Sequence, residues 1–274
     1  MQVHLPSGFT AAHGVTARRF VQGESLSQDE RVLLFETFDL LHQAQVETET
    51  SRMSFASIYG RLFETPFADD YVRQLLEAPH ASAIAESLRA QVSREILPTL
   101  KTAGLVSPDE PASFYLLAYC LYWWYAFAKG YAFEVEVLQD LEAAGISYQA
   151  HDLLDARARR SPFDLAVLGF RGDIKTSTYF LHTIRTAGLW HHFYITRVYD
   201  PERRSHIRVV FLREAAWKAI DGEATPIKLR ALPTALPGIV RIQHGDVTLT
   251  VVEYEEWKAR VLRVQRADMG SMER

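Results

Sequence analysis

The fourteen residues 164–177 limit the architecture of this chain more than any other stretch. They run Asp164-Leu165-Ala166-Val167-Leu168, then Gly169-Phe170-Arg171-Gly172, then Asp173-Ile174-Lys175-Thr176-Ser177. Two strand-like runs flank a glycine-bounded segment, which is the pattern of a tight β-hairpin. Side chains alternate faces along a strand, so Asp173, Lys175 and Ser177 share one face. With the turn centred on Phe170-Arg171, Asp164 lies opposite Ser177 and joins that face. Leu165, Val167 and Ile174 then form an apolar face behind it. One extra turn residue reverses the parity and removes Asp164 from the set. Carboxylate oxygens suit a hard cation such as Mg²⁺. A metal beside an ammonium is standard equipment for cutting a phosphodiester.

The chain around the hairpin changes character part-way. Ser27-Gln28-Asp29-Glu30 has the form of an N-cap followed by first-turn acids, opening a helix over about 27–49. Helical patterns recur at about 53–63, 67–78 and 81–102. Ala103-Gly104 and Ser107-Pro108-Asp109-Glu110-Pro111 make a break. A boundary there gives an all-helical N-terminal domain, 1–111, and a second domain, 112–274. The second begins with helices over 112–127 and 131–144, or one bent helix across both. Strands are expected at 147–150, in the hairpin, at 192–199 and 206–212, and in a late hairpin around His244-Gly245-Asp246. Helices are expected at 179–186, 214–220 and 255–266. The order α-β-β-β-α-β with extra strands describes a mixed α/β layer fold.

Bulk properties exclude several classes. At 48% hydrophobic and 12% aromatic residues the chain can bury a large core and is not disordered. The single cysteine, Cys120, rules out a disulfide framework and a cysteine-based zinc site, and fits a cytoplasmic protein. Residues 1–20 contain His4, Pro6, Arg18 and Arg19 with no apolar core, so no leader peptide is expected. The longest apolar run, 114–127, is too short to span a bilayer, so no membrane association is expected. There is no P-loop, dinucleotide-binding glycine fingerprint or Gly-x-Ser-x-Gly elbow, and so no nucleotide cofactor is expected. The net charge of −4 argues against a generally basic nucleic-acid binder, but it is unevenly spread. Residues 1–112 hold 9 basic against 15 acidic residues, net −6, and residues 113–274 hold 21 against 19, net +2. The basic residues of the second part are mostly arginine, whose fork suits phosphate oxygens.

Outside the hairpin, Glu134 stands out. It precedes Val137, Leu138 and Leu141 by three, four and seven residues, so it lies on or beside the buried stripe of its helix. Glu136 groups instead with Gln139 and Asp140 on the wet side. An acid on an inward face needs a cation, a metal or a path to water. Arg157, Arg159 and Arg160 either grip a phosphate backbone or form a solvated loop. Thr176 and Ser177 offer hydroxyls to phosphate, although strand ends carry such residues in any case. His191 and His192 alternate faces and do not readily bind one ion. Tyr122, Trp123, Trp124 and Tyr125 have helical spacing and read as core.

Glu134 on a helix, Pro162-x-Asp164 with Phe163 between, and Asp173-x-Lys175 resemble the PD-(D/E)xK nuclease superfamily. The Gly130-x-x-Phe133-Glu134 run is similar to its resolvase-like members. The resemblance covers about 115–212. It implies a restriction-endonuclease-like αβββαβ core with a mixed central sheet. It also implies Mg²⁺, with Mn²⁺ as a substitute, held by Asp164, Asp173, Glu134 and the Ile174 carbonyl, with Lys175 as catalytic lysine. The expected activity is cleavage of duplex or branched DNA, and a homodimer would cut both strands. The alternative is a nuclease-fold DNA-binding or scaffold protein without turnover.

Overall fold

A computed structural model describes residues 1–155, 161–178, 180–183, 189–220 and 223–272. The chain divides into two compact units, Met1–Ala132 and Phe133–Arg274.

The first unit contains β1 (Gln2–His4), α1 (Ala11–Val21), α2 (Gln28–Leu41), β2 (Gln45–Glu47), β3 (Arg52–Ser54) and α3 (Phe55–Tyr59). A π-helical turn, Gly60–Glu64, leads into α4 (Pro66–Glu77) and α5 (Ala81–Thr102). α6 (Phe114–Ala143) then carries the chain across the division. The Ser107–Pro111 break therefore lies inside the first unit.

The capping box at Ser27 forms as its spacing predicts. Ser27 accepts the Glu30 N–H, and the Glu30 carboxylate accepts the Ser27 N–H at 2.8 Å. The helix that follows ends at Leu41 rather than near residue 49. Residues 45–47 instead pair antiparallel with both β1 and β3, so the first unit is not all-helical. Thr48 and Ser51 close the β2–β3 turn with backbone and hydroxyl hydrogen bonds, which stops a helix continuing through this segment. The aromatic quartet of α6 is core, as its spacing indicates. Tyr122 stacks on Phe38 with centroids 4.1 Å apart. Trp124 is fully buried and donates its indole N–H to the Arg89 carbonyl at 3.1 Å. α6 is one continuous helix through Gly130, because a single glycine costs only about 1 kcal/mol relative to alanine.

The second unit is built on an eight-stranded mixed sheet. Its elements are β4 (Gln149–Ala150), β5 (Leu165–Val167), β6 (Phe170–Lys175), α7 (Phe180–Thr183), β7 (Phe193–Asp200) and β8 (Ser205–Arg213). α8 (Glu214–Ile220), β9 (Thr225–Ile227), α9 (Leu232–Ala235), β10 (Val240–His244), β11 (Val247–Glu253) and α10 (Tyr254–Met272) complete it. The strand order is β4-β5-β6-β7-β8-β11-β10-β9. β6–β7 and β10–β9 are parallel and the remaining pairs antiparallel. One face packs Tyr194, Val198, Val209, Phe211, Leu249 and Val251 beneath Phe180, Leu181, Leu232 and Leu236. The other sets Phe193 and Leu212 against Ala216 and Trp257.

The β5–β6 hairpin turns earlier than the sequence suggests. Leu165 pairs with Gly172, Ala166 with Arg171 and Val167 with Phe170, which leaves a two-residue turn at Leu168-Gly169. Both turn residues have positive φ, 51° and 77°, the mirror-image geometry that matches the twist of a short hairpin. Gly172 is not a turn residue. A Cβ there would lie 2.1 Å from the Phe193 ring on the neighbouring strand, so only glycine lets β6 and β7 close together.

Among the described residues no helix is long and apolar enough to cross a membrane. Glu136 is not on a wet face. Its carboxylate is 19% exposed, pairs with Arg197 at 2.5 Å, and also binds Arg208. Arg197 lies over the Phe133 ring, 4.1 Å from its centroid.

Candidate functional site

The hairpin brings its two acids face to face. Asp164, just before β5, donates its N–H to the Gly172 carbonyl at 3.1 Å and so extends the pairing by one residue. Asp173 is its cross-strand neighbour, where the sequence had placed Ser177. The two positions differ by an even step on the opposite strand, so Asp164, Asp173 and Lys175 still share a face. Asp164 Oδ2 accepts the Ile174 N–H at 2.7 Å, and its carboxyl is within hydrogen-bonding reach of the Asp173 carboxyl. Lys175 donates to Asp173 Oδ1 at 2.8 Å and lies 2.7 Å from Oδ2.

Glu134 comes from α6 and His151 from the residue after β4. Their Oε1 and Nε2 atoms are 3.4 Å apart, with side chains 10% and 9% exposed. One ligand atom each from Glu134, His151 and Asp164 lies within 4.8 Å of the other two. Glu134 Oε1 is buried and has no hydrogen-bond partner. His151 is anchored twice on one carbonyl. Its backbone N–H reaches the Asp164 oxygen at 3.3 Å, and its ring Nδ1 lies 3.2 Å from the same atom.

A second histidine flanks Asp173. His191 Nδ1 is 3.7 Å from Asp173 Oδ2, and its Nε2 is 2.5 Å from the Pro162 carbonyl. The His191 N–H donates to the Tyr194 hydroxyl at 3.2 Å. His192 turns the other way, its Nδ1 accepting the Arg171 N–H at 3.2 Å.

The electrostatics follow from packing three carboxyls against a single ammonium. Burial raises the Glu134 pKa to about 7, and the Asp173 charge adds to the rise while Lys175 opposes it. Burial also lifts Asp164, to about 9. The hydrogen bond with Asp173 and the Glu134 charge push the same way, against the Ile174 N–H. Buried, crowded acids resist ionising in this way because low polarity and neighbouring negative charge both disfavour the charged form. A divalent ion would offset the crowded negative charge and satisfy Glu134 Oε1. The carboxyl oxygens of Glu134 and Asp164, with the imidazole of His151, form a donor set that fits such an ion.

The structure thus brings together Glu134, Asp164, Asp173 and Lys175. Ile174 takes part through its N–H. Thr176 and Ser177 lie just past β6 and are exposed. Arg157, Arg159 and Arg160 lie outside the described residues. His151 is the residue that sequence reasoning passed over. Its one local signal is its position immediately after an edge strand, at the end nearest the hairpin acids. No protein-family model, curated protein or solved structure matches this chain.

Proposed function

We propose that this chain is a divalent-metal-dependent phosphodiesterase of the PD-(D/E)xK type, hydrolysing DNA. The observation that carries the reading is the convergence of Glu134, His151 and Asp164 ligand atoms within 4.8 Å, next to the Asp173–Lys175 pair. The element order α6-β4-β5-β6-α7-β7 supports it, being the αβββαβ order of a restriction-endonuclease-like core.

Asp164, Asp173 and Glu134, with the Ile174 carbonyl, would hold Mg²⁺ or Mn²⁺. Such an ion supplies positive charge for the scissile phosphate and acidifies a bound water. The protein's own groups do the rest. The Ile174 N–H holds Asp164 in place across the hairpin. His191, braced on the Pro162 carbonyl, stands beside Asp173. Lys175 carries its ammonium to the charged side of the site. There it orients the attacking water or offsets the charge that develops on the phosphate oxygens.

A scaffold without turnover would be favoured by a lysine bridging both hairpin acids with Glu134 directed elsewhere. Here Lys175 pairs with Asp173, and Glu134 faces His151. Two chains, each cutting one strand, account for duplex cleavage. The test is incubation with single-stranded, duplex and junction DNA in Mg²⁺ or Mn²⁺, comparing the wild type with Asp173→Ala and Lys175→Ala. Metal-dependent cleavage that both variants lose supports the reading. Cleavage that survives in Asp173→Ala overturns it.

A further inference from the structure

The ring of His151 is held in a way that the hairpin acids alone do not explain. A carbonyl oxygen can only accept, so at 3.2 Å from the Asp164 carbonyl Nδ1 is the protonated nitrogen. In its neutral form the ring then carries its lone pair on Nε2, 3.4 Å from Glu134 Oε1. Glu134 Oε1 is buried and has no hydrogen-bond partner. With Glu134 ionised and the imidazole neutral, two acceptor atoms face each other, each on a side chain about nine-tenths buried, with the Asp164 carboxyl completing the triangle. A cation in the gap satisfies all three. An imidazole whose far N–H rests on a backbone carbonyl is in the tautomer and orientation that metal-binding histidines use.

We propose that His151 is a direct nitrogen ligand of the metal, and that the centre therefore takes Mn²⁺ in preference to Mg²⁺. The proposal rests on the metal-centre reading above and adds the identity of the ion. Mg²⁺ demands oxygen donors in near-ideal octahedral geometry and gives up its waters reluctantly. Mn²⁺ accepts the same carboxylates, and imidazole donors suit ions further along the transition series. One buried imidazole among two carboxylates shifts the balance toward Mn²⁺.

The test is binding rather than turnover. Mn²⁺ and Mg²⁺ are titrated calorimetrically into the full chain, and the Mn²⁺ complex is probed by pulsed electron paramagnetic resonance for ¹⁴N coupling. The wild type is expected to bind Mn²⁺ at least about tenfold more tightly than Mg²⁺ and to show coupling to one directly bound imidazole nitrogen. His151→Asn should lose the coupling and about 10- to 100-fold in Mn²⁺ affinity, with Mg²⁺ binding little changed. His191→Asn should keep the coupling. The spectrum of the wild type needs no variant, so misfolding of His151→Asn cannot hide the answer. Mn²⁺ bound without ¹⁴N coupling, or with coupling that only His191→Asn removes, overturns the assignment and leaves metal-dependent cleavage standing. Failure of the wild type to bind either ion overturns both.

Discussion

Asp164 accepts the backbone N–H of Ile174 at 2.7 Å, tying the first hairpin acid to the residue between the second acid and the lysine. An asparagine oxygen at this position would accept the same N–H without adding charge to the cluster. Asp164→Asn is therefore expected to keep the fold and, in metal-free buffer at pH 8, to raise stability by about 1–3 kcal/mol, since it removes one of three crowded carboxylates. Urea denaturation measures the gain, and a DNA-cleavage assay should show the activity lost. A loss of stability would mean that the Asp164 charge is compensated in the folded chain.

The metal-free protein should lose stability as pH rises. Glu134 is lifted from 4.5 to about 7 and Asp164 from 3.8 to about 9, so both hold protons in the folded state that they have released in the unfolded one. Their contribution is fully present below about pH 4 and disappears as pH climbs through about 7 and then about 9. Thermal melts from pH 5 to 9 in a chelator should show this decline, whereas saturating Mn²⁺ should flatten it because the ion binds the ionised carboxylates. A flat profile in the chelator would show that these acids are already ionised.

Under the proposed function Lys175 has two competing tasks, pairing with Asp173 and serving the reaction. Lys175→Met removes the ammonium while keeping the length of the chain and its apolar stem. Cleavage should fall by about 10²- to 10⁴-fold. Affinity for Mn²⁺ should hold or rise, because Asp173 no longer gives both oxygens to a neighbouring cation. Calorimetry and single-turnover cleavage on the same samples separate these effects. Metal affinity that collapses with the lysine would make its role structural.

Gly172→Ala tests the frame of the site rather than its chemistry. The added methyl would meet the Phe193 ring at 2.1 Å, and β6 and β7 cannot part without moving Asp173 and Lys175. A destabilisation of about 1–3 kcal/mol or more is expected in urea. The double variant Gly172→Ala, Phe193→Leu should recover part of it. No recovery would place the strain elsewhere.

The two ends of the hairpin show how far sequence carries. The shared face of Asp164, Asp173 and Lys175 was legible because strand alternation has a period of two, and any even slip preserves it. The turn was misplaced because its cues mislead. Gly169 and Gly172 look like a matched pair of turn glycines, yet Gly172 serves the packing of Phe193, and the other turn position is Leu168 at φ 51°, where asparagine or glycine is usual. Helical periodicity was strong enough to place α4, α5 and α6. It failed at 45–54, where three-residue strands leave too few positions to show a period. Glu136 looked solvent-facing because its partners, Arg197 and Arg208, are supplied by strands more than sixty residues away. His151 was hidden for a similar reason. Its place in the cluster depends on β4 pairing with β5, and a two-residue strand leaves almost no trace in the sequence.

The two-residue turn also bears on the order in which the molecule assembles. Glu134, His151, Asp164, Asp173 and Lys175 fall in one continuous stretch of the chain, and a short hairpin forms within microseconds. β11 must enter between β8 and β10, two strands that precede it in the sequence, and its pairing with β8 joins residues far apart along the chain. Asp164, Asp173 and Lys175 can therefore gather before the far half of the sheet has closed. An ion present during refolding would then act in the transition state as well as in the finished protein. It should steepen the approach to the native state and raise the folding rate in a stopped-flow chevron, rather than only slowing unfolding.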